Sequence, residues 1–128
     1  MIIYIAGPYT KGDVADNVRR AMEAGNIVCA SGHTCIVPHL YHFMHLHIPR
    51  HYEDWMRMDF DLIRKSDALI RLSGESSGSD REVDLADKHG MPVIYQDKID
   101  FEKFSLGKTA DNLYRIIQSL AERSTRSA

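Results

Sequence analysis

Four short apolar runs alternate with longer stretches of helical periodicity along this chain. The runs are bounded by Gly, Pro or Ser, and they predict strands over residues 2–6, 34–37, 68–72 and 91–95. Strands that alternate with helices are joined by right-handed crossovers, which predicts a parallel sheet with helices on both faces. We therefore expect a flavodoxin-like or Rossmann-like three-layer α/β sandwich, whose four or five strands take the order 2-1-3-4(-5).

Helix signals fill the intervals between these runs. Asp13 is a good N-cap for a first helix, and Gly32 is a good stop for it. Residues 39–51 have no clear period, so we expect a loop or an irregular helix there. The other predicted helices are one that carries Trp55 and ends near Ser66, one over residues 80–89 and a last one over residues 109–122.

Length and composition limit the classes of function. The 128 residues suit one domain, which we assign to residues 1–123, and we expect residues 124–128 to form a disordered tail. The formal net charge of −2 argues against a nucleic-acid polymer as partner, because binding to its backbone needs clustered Lys and Arg. The N-terminal residues lack the basic region of a signal peptide, and no apolar run is long enough to span a membrane. We therefore expect a cytoplasmic protein without a membrane partner.

The cysteines and histidines do not follow a metal-binding pattern. Cys29 and Cys35 lack the CxxC spacing, so we expect two reduced and partly buried thiols. Five of the seven histidines fall within residues 39–51, but no HExxH pair or mixed Cys/His spacing accompanies them. We expect neither a metal nor another cofactor.

Two polar loops leave the predicted first and third strands. In a parallel sheet of this order, ligands bind at the carboxyl ends of the two strands between which the strand order reverses. The loops there cover residues 7–13 and 73–79, and they are the connections richest in Gly, Ser and Thr. Each leads into a helix N-terminus, where free N–H groups and the helix dipole attract anions. The pattern favours a site for a small anionic ligand, although such loops also serve simply as turns and caps.

Two acidic residues flank this predicted cleft. Glu82 follows the second loop, in the first turn of its predicted helix. Asp59 shares a helical face with Trp55, which favours Asp59 over Asp61 as a second functional carboxylate. A glutamate near a helix N-terminus is by itself a favourable dipole partner, so a functional interpretation of Glu82 depends on the pair.

The same residues resemble the nucleoside 2-deoxyribosyltransferase-like family, which includes deoxynucleoside 5′-monophosphate N-glycosidases. The resemblance covers residues 2–95 and is carried by an ordered set of short segments rather than by one motif. The matching segments are Ile3 to Pro8, Gly32, Pro38-His39, Trp55, Asp59, Asp67 to Leu69, Ser76 to Glu82, Ala86 and Gly90 to Val93.

The resemblance implies glycosyl-transfer chemistry with assigned roles. Glu82 would attack the anomeric carbon of the sugar and form a covalent glycosyl-enzyme. Asp59 would position the sugar or protonate the departing base, and Tyr4 would lie beside the nucleophile. The expected substrate-binding residues, among which His39 edges the base pocket, are Gly7, Tyr9, Thr10, Lys11, Gly12, His39, Trp55, Ser76 and Gly78.

The first loop and the stretch from Ser76 to Gly78 resemble those that hold a 5′-phosphate in the N-glycosidases. We therefore expect release of the base from a (deoxy)nucleoside 5′-monophosphate. The alternatives are base exchange on unphosphorylated nucleosides, non-catalytic nucleotide binding and a purely structural role. Asp80 and Arg81 depart from the family pattern, because they add charge beside Glu82. Relatives form dimers or larger rings, which implies a homodimer or a higher homo-oligomer.

Overall fold

The computed structural model describes residues 1–95 and, beyond them, residues 115, 118, 119 and 122. Over this part of the chain a four-stranded parallel sheet has the order β2-β1-β3-β4. Its strands are β1 (Ile2–Ala6), β2 (Thr34–Ile36), β3 (Ala68–Arg71) and β4 (Val93–Tyr95). The predicted α/β class and strand order are confirmed. The second, third and fourth strands are one or two residues shorter than their apolar runs predict.

Helices cover both faces of the sheet. They are α1 (Val14–Ala30), a 3-10 helix (Pro38–Leu40), α2 (Tyr41–His47), α3 (Tyr52–Arg64) and α4 (Ser77–Lys88). The Asp13 carboxylate caps α1 by accepting a hydrogen bond of 3.0 Å from the Asp16 N–H, as its position predicts. Gly32 follows α1 with a φ of +83°, in the left-handed region that favours glycine at a helix end.

Two helical segments differ from their prediction. α4 begins at Ser77 rather than at Asp80, because Ser76 is its N-cap and accepts a hydrogen bond of 3.1 Å from the Ser79 N–H. The Ser/Gly composition that indicates a loop therefore belongs in part to the first turn of a helix. Residues 39–51, expected to be a loop or an irregular helix, contain the regular helix α2 instead.

The sheet separates two apolar cores. Side chains alternate along β1, so Ile3 and Ile5 pack beneath α1 while Tyr4 faces the opposite side. There Tyr4 lies in a core with Ile63 of α3 and Ala86 of α4. This alternation places a tyrosine hydroxyl on the side of the sheet where the acidic residues of α3 and α4 lie.

Three predictions fall on the end of the chain. The fifth strand and the tail 124–128 lie outside the described residues, as does most of the helix predicted over 109–122. Within that segment, residues 115, 118, 119 and 122 are helical. Among the described residues, no helix has both the length and the apolar character needed to cross a membrane.

Candidate active site

A cavity of about 410 Å³ opens at the carboxyl ends of β1 and β3. Its volume falls within the range of small-molecule sites, about 300–1,000 Å³. The loop after β1, the N-terminus of α4 and the inward faces of α2 and α3 form its walls. Of the residues predicted to form the site, the cavity is lined by Tyr4, Gly7, Tyr9, Thr10, Lys11, His39, Trp55, Asp59, Ser76, Gly78 and Glu82.

Gly12 is the predicted binding residue that does not line this cavity. It is exposed and has a φ of +86°, and a Cβ placed on it would meet no atom within 4 Å. Its position therefore fits a turn that requires glycine rather than a close approach to a ligand.

The cavity floor holds a tyrosine and a glutamate in direct contact. The Tyr4 hydroxyl donates a hydrogen bond to Oε2 of Glu82. Tyr4 is fully buried and Glu82 is 5% exposed. Since β1 and α4 are both fixed by the core, this hydrogen bond holds the carboxylate in one orientation.

Asp59 brings a second carboxyl group to the same floor. It lies on α3 and interacts with both Tyr4 and Glu82. Asp61, the alternative on the same helix, is exposed and pairs with Arg64 at 3.0 Å. The preference for Asp59 therefore agrees with where the two side chains lie.

Burial perturbs the protonation of both acids. It raises the pKa of Glu82 to about 8, helped by the negative charge of Asp59 and opposed by the hydrogen bond from Tyr4. Burial also raises the pKa of Asp59 to about 7, again against a hydrogen bond from Tyr4. The pKa of Tyr4 lies well above its usual value, first because of burial and then because both carboxylates face it. The pair therefore shares a proton near neutral pH, with one group able to act as a base and the other as an acid.

The N-terminus of α4 forms one wall of the cavity. Ser77, Gly78 and Ser79 line it, and the first N–H groups of a helix have no partner within the helix. Gly78 allows a close approach, because a Cβ there would lie 2.9 Å from the Tyr52 hydroxyl. The Ser79 Oγ is buried and has no hydrogen-bond partner among the described residues. This wall offers donors to an anionic or hydroxylated ligand.

Two cationic side chains reach the cavity, Lys11 and Arg50. The Lys11 ammonium forms an ion pair of 2.7 Å with Glu75 of the opposite loop. Both partners are well exposed, so the pair is weak. Neither Glu75 nor Arg50 was singled out from the sequence.

His39 fixes the loop that follows β1. Its Nε2 lies 3.2 Å from the carbonyl oxygen of Gly7 and 3.1 Å from that of Pro8, so this nitrogen carries the proton and donates it. Burial lowers the pKa of His39, which keeps the ring neutral. His39 borders the cavity as expected, and it also positions the loop.

Aromatic residues of α2 and α3 close the cavity on the far side. The Tyr9 hydroxyl is hydrogen-bonded to Nδ1 of His42, and the Trp55 indole donates to Nδ1 of His45 at 2.9 Å. The rings of Tyr41 and Trp55 lie 5.5 Å apart at an interplanar angle of 30°. Such flat, partly apolar surfaces suit a planar heterocycle.

Several lining residues were missed in the sequence. Tyr52, Met56 and Asp59 follow the i, i+4, i+7 spacing of one helical face, which marks Tyr52 and Met56 once Asp59 is chosen. His42 and His45 lie in a segment without a clear period, so no such signal was available. Tyr41 and Arg50 also line the cavity and were not named from the sequence. Ile5, Pro38, Ser77 and Ser79 line it as well; they belong to segments that the sequence singled out but not to the predicted site residues.

Asp80 and Arg81 both form ion pairs with side chains that do not line the cavity. Asp80 is exposed and pairs with Arg71 at 3.2 Å. Arg81 pairs with Glu53 at 2.8 Å. Neither Asp80 nor Arg81 lines the cavity, so the charge that they add beside Glu82 does not come from direct contact with the cavity.

Comparison with known proteins supports the fold and names a family. No match was found among curated proteins. A solved structure of a 2-deoxyribosyltransferase from the psychrotolerant bacterium Bacillus psychrosaccharolyticus is similar, with a TM-score of 0.56 and 18% sequence identity. The similarity covers 74% of this chain and 71% of that one. Residues 1–96 match a family described as a domain of unknown function, DUF7768, and the chain therefore belongs to that family.

Proposed function

We propose that this protein cleaves the N-glycosidic bond of a (deoxy)nucleoside 5′-monophosphate and releases the free base, with Glu82 as nucleophile. The observation that carries the proposal is the contact of Glu82 with Tyr4 beside Asp59, on the floor of a cavity of small-molecule size. Burial raises the pKa of both acids, and the charge of Asp59 raises the pKa of Glu82 further. Strongly shifted carboxyl groups in a cavity are typical of catalytic sites.

The reaction proceeds from the state in which Asp59 holds the shared proton and Glu82 is ionised. Because the pKa of Glu82 lies above that of Asp59, this is the less populated of the two singly protonated states. A Glu82 oxygen forms a bond to the anomeric carbon while the bond from that carbon to the base breaks. The electron pair of that bond passes to the base nitrogen, and the Asp59 proton neutralises the departing base. Water then attacks the anomeric carbon, returns a proton to Asp59 and frees the Glu82 carboxylate together with a sugar 5-phosphate.

Tyr4 acts on the nucleophile rather than on the base. Its hydroxyl hydrogen-bonds to Oε2 of Glu82 and so stabilises the ionised carboxylate against the effect of burial. It also fixes which oxygen of Glu82 is free to attack. The predicted roles of Glu82, Asp59 and Tyr4 are compatible with one another in this arrangement.

The 5′-phosphate is proposed to lie against the N-terminus of α4. The Ser77 and Gly78 N–H groups and the Lys11 ammonium border this end of the cavity, and Arg50 adds a second positive charge to the lining. The base is proposed to lie toward Trp55 and Tyr41, whose rings border the cavity elsewhere.

A deoxyribosyltransferase reaction is the second candidate function. It is favoured by the fold shared with the 2-deoxyribosyltransferase of Bacillus psychrosaccharolyticus. Both reactions begin with the same glycosyl-enzyme, and they differ in whether water or a second base attacks it.

A substrate panel separates these candidates. Purified protein is incubated with ribo- and deoxyribonucleosides, with and without a 5′-phosphate and with and without a second free base, and the products are separated by chromatography. We expect free base from at least one 5′-monophosphate. Base exchange confined to unphosphorylated nucleosides would support the transferase, and no reaction with any member of the panel would overturn both proposals.

A further inference from the structure

Two thiols meet on the side of the sheet that carries α1. The Sγ atoms of Cys29, near the end of α1, and Cys35, in the middle of β2, are 3.3 Å apart. Cys29 is exposed, whereas Cys35 is partly buried against the core beneath α1. Neither residue lines the candidate active site.

Close packing holds the two elements together. A Cβ on Gly25 of α1 would lie 2.6 Å from Cγ2 of Val37 and 3.5 Å from Sγ of Cys35, so the helix backbone lies directly on the segment that contains Cys35. The turn between them is also pinned, since the His33 N–H donates to the Val28 carbonyl oxygen at 3.2 Å. The proximity of the thiols therefore follows from the backbone and not only from the side-chain torsions.

We propose that Cys29 and Cys35 form a reversible intramolecular disulfide when the protein meets a peroxide. The bond length of a disulfide is about 2.05 Å, so the sulfurs need to approach by only about 1.2 Å. The disulfide would tie the end of α1 covalently to β2, which is the edge strand of the sheet.

The chemistry balances with the peroxide as oxidant. The Cys29 thiolate attacks one peroxide oxygen, the O–O bond breaks, and the products are a Cys29 sulfenic acid and, with hydrogen peroxide, one water. The Cys35 sulfur then attacks the Cys29 sulfur and displaces a second water. The two thiols thereby lose two electrons and two protons to the peroxide.

The surroundings of the thiols assign their order of reaction. Cys29 is the exposed thiol and is reached first by a peroxide dissolved in water. Burial raises the pKa of the Cys35 thiol, and its hydrogen bond to Cys29 raises that pKa further. A buried protonated thiol is a poor first nucleophile, but it is already in contact with the sulfur it must attack.

Mass spectrometry tests the inference on the intact chain without any substrate. Both cysteines lie in one tryptic peptide, residues 21–50, because no Lys or Arg lies between Arg20 and Arg50. After treatment with hydrogen peroxide and blocking of free thiols, we expect this peptide to lose the mass of two hydrogen atoms and to take up no blocking reagent. We also expect dithiothreitol to restore both thiols and the untreated mass.

Single-cysteine variants provide the matched controls. In Cys35→Ser the remaining Cys29 has no internal partner, so we expect it to gain oxygen atoms that dithiothreitol removes only in part. In Cys29→Ser we expect Cys35 to react at least tenfold more slowly than the cysteines of the unaltered chain. The inference is overturned if the unaltered chain gives only cross-linked dimers or oxygen adducts, or if both thiols survive the peroxide. Because the readout is covalent mass, it is independent of the proposed glycosidic activity.

Discussion

The Tyr4 hydroxyl donates a hydrogen bond to the Glu82 carboxylate, across 78 positions of sequence. Tyr4 lies in β1 at the centre of the sheet, and Glu82 lies near the start of α4. The bond therefore joins the most buried strand to the helix whose N-terminus borders the cavity. It is the contact on which the proposed chemistry depends.

Tyr4→Phe should weaken the nucleophile without disturbing the fold around it. Removing a hydrogen bond to a charged group costs about 1.5–3 kcal/mol, which corresponds to roughly a 10- to 100-fold fall in kcat/KM. The fall should appear in kcat rather than in KM, and the acid limb of the pH–rate profile should move to higher pH. Base release measured across pH checks this; an unchanged kcat with an unchanged pH profile would exclude a role for Tyr4.

Glu82→Gln should stabilise the protein at alkaline pH. The folded-state pKa of Glu82 is raised from 4.5 to about 8, so the folded state binds a proton more tightly than the unfolded chain. Stability from this group is therefore present at low pH and is lost as pH rises through that window. The glutamine variant lacks this loss, and its free energy of unfolding should exceed that of the unaltered protein by about 1–3 kcal/mol near about pH 8.

Denaturant unfolding at several pH values measures this difference. His33 and His39 have lowered pKa values, but they contribute equally to both proteins and cancel in the comparison. A difference in stability that stays constant with pH would contradict the burial of an ionisable Glu82.

The pH–rate profile should be bell-shaped, because the reactive state holds one proton on the pair of acids. Its limbs should fall near about 7 and about 8, the raised pKa values of the pair, and they belong to the pair rather than to either residue alone. Asp59→Asn should lower kcat by at least tenfold and remove the alkaline limb, because the variant has no Asp59 proton to lose as the pH rises.

Asp61→Asn is the matched control for that variant, because Asp61 is exposed on the same helix and pairs with Arg64. It should leave both the rate and the pH profile unchanged. Equal losses of kcat in the two variants would show that the loss comes from a disturbance of α3 and not from the missing carboxylate of Asp59.

Lys11 and Glu75 should affect phosphate recognition in opposite directions. Lys11→Ala removes a positive charge from the cavity and should raise KM for a 5′-monophosphate several-fold, with little effect on the unphosphorylated nucleoside. Glu75→Gln frees the Lys11 ammonium from its 2.7 Å ion pair and should lower the same KM. Steady-state kinetics with each 5′-monophosphate and its unphosphorylated nucleoside measures both changes in KM. An unchanged KM in both variants would show that the phosphate does not bind beside Lys11.

Gly7→Ala should lower the stability of the protein, whereas Gly78→Ala should weaken the binding of substrate. A Cβ on Gly7 would lie 2.9 Å from Cβ of Leu72 in the core, so we expect a loss of about 1–3 kcal/mol in stability. A Cβ on Gly78 would meet the movable Tyr52 hydroxyl, so stability should hold while KM rises. Thermal unfolding and KM measured on both variants test this, and a stable Gly7→Ala would contradict the close packing.

The fold was largely predictable because its signals are local. The apolar run 2–6 and the cap at Asp13 each have one physical interpretation, and alternation of elements sets the parallel sheet. The start of α4 was not predictable. Ser76 caps this helix by accepting a hydrogen bond from the Ser79 N–H, but a Ser/Gly-rich composition is equally typical of a turn. α2 was expected only as a loop or an irregular helix for a different reason, because residues 39–51 have no clear hydrophobic period.

The site residues that directly follow the strands of the sheet could be predicted from the sequence. Those that α2 contributes could not. Strand order brings the first loop and α4 together, so Lys11 and Gly78 could be placed in one cleft. His42 and His45 reach the cavity through the path of a short helix, and a single sequence carries no signal for that path. The pairing of Lys11 with Glu75 was hidden for a similar reason, because it joins two loops in space.

Trapping a covalent intermediate tests the central claim most directly. Protein is mixed with a 5′-monophosphate that releases base in the panel, quenched in acid within the first turnover and digested with trypsin. The peptide of residues 82–88 should carry the mass of a sugar phosphate, and Glu82→Gln should show neither this adduct nor base release. Base release by Glu82→Gln at the rate of the unaltered protein, with no adduct on that peptide in either, would contradict the account.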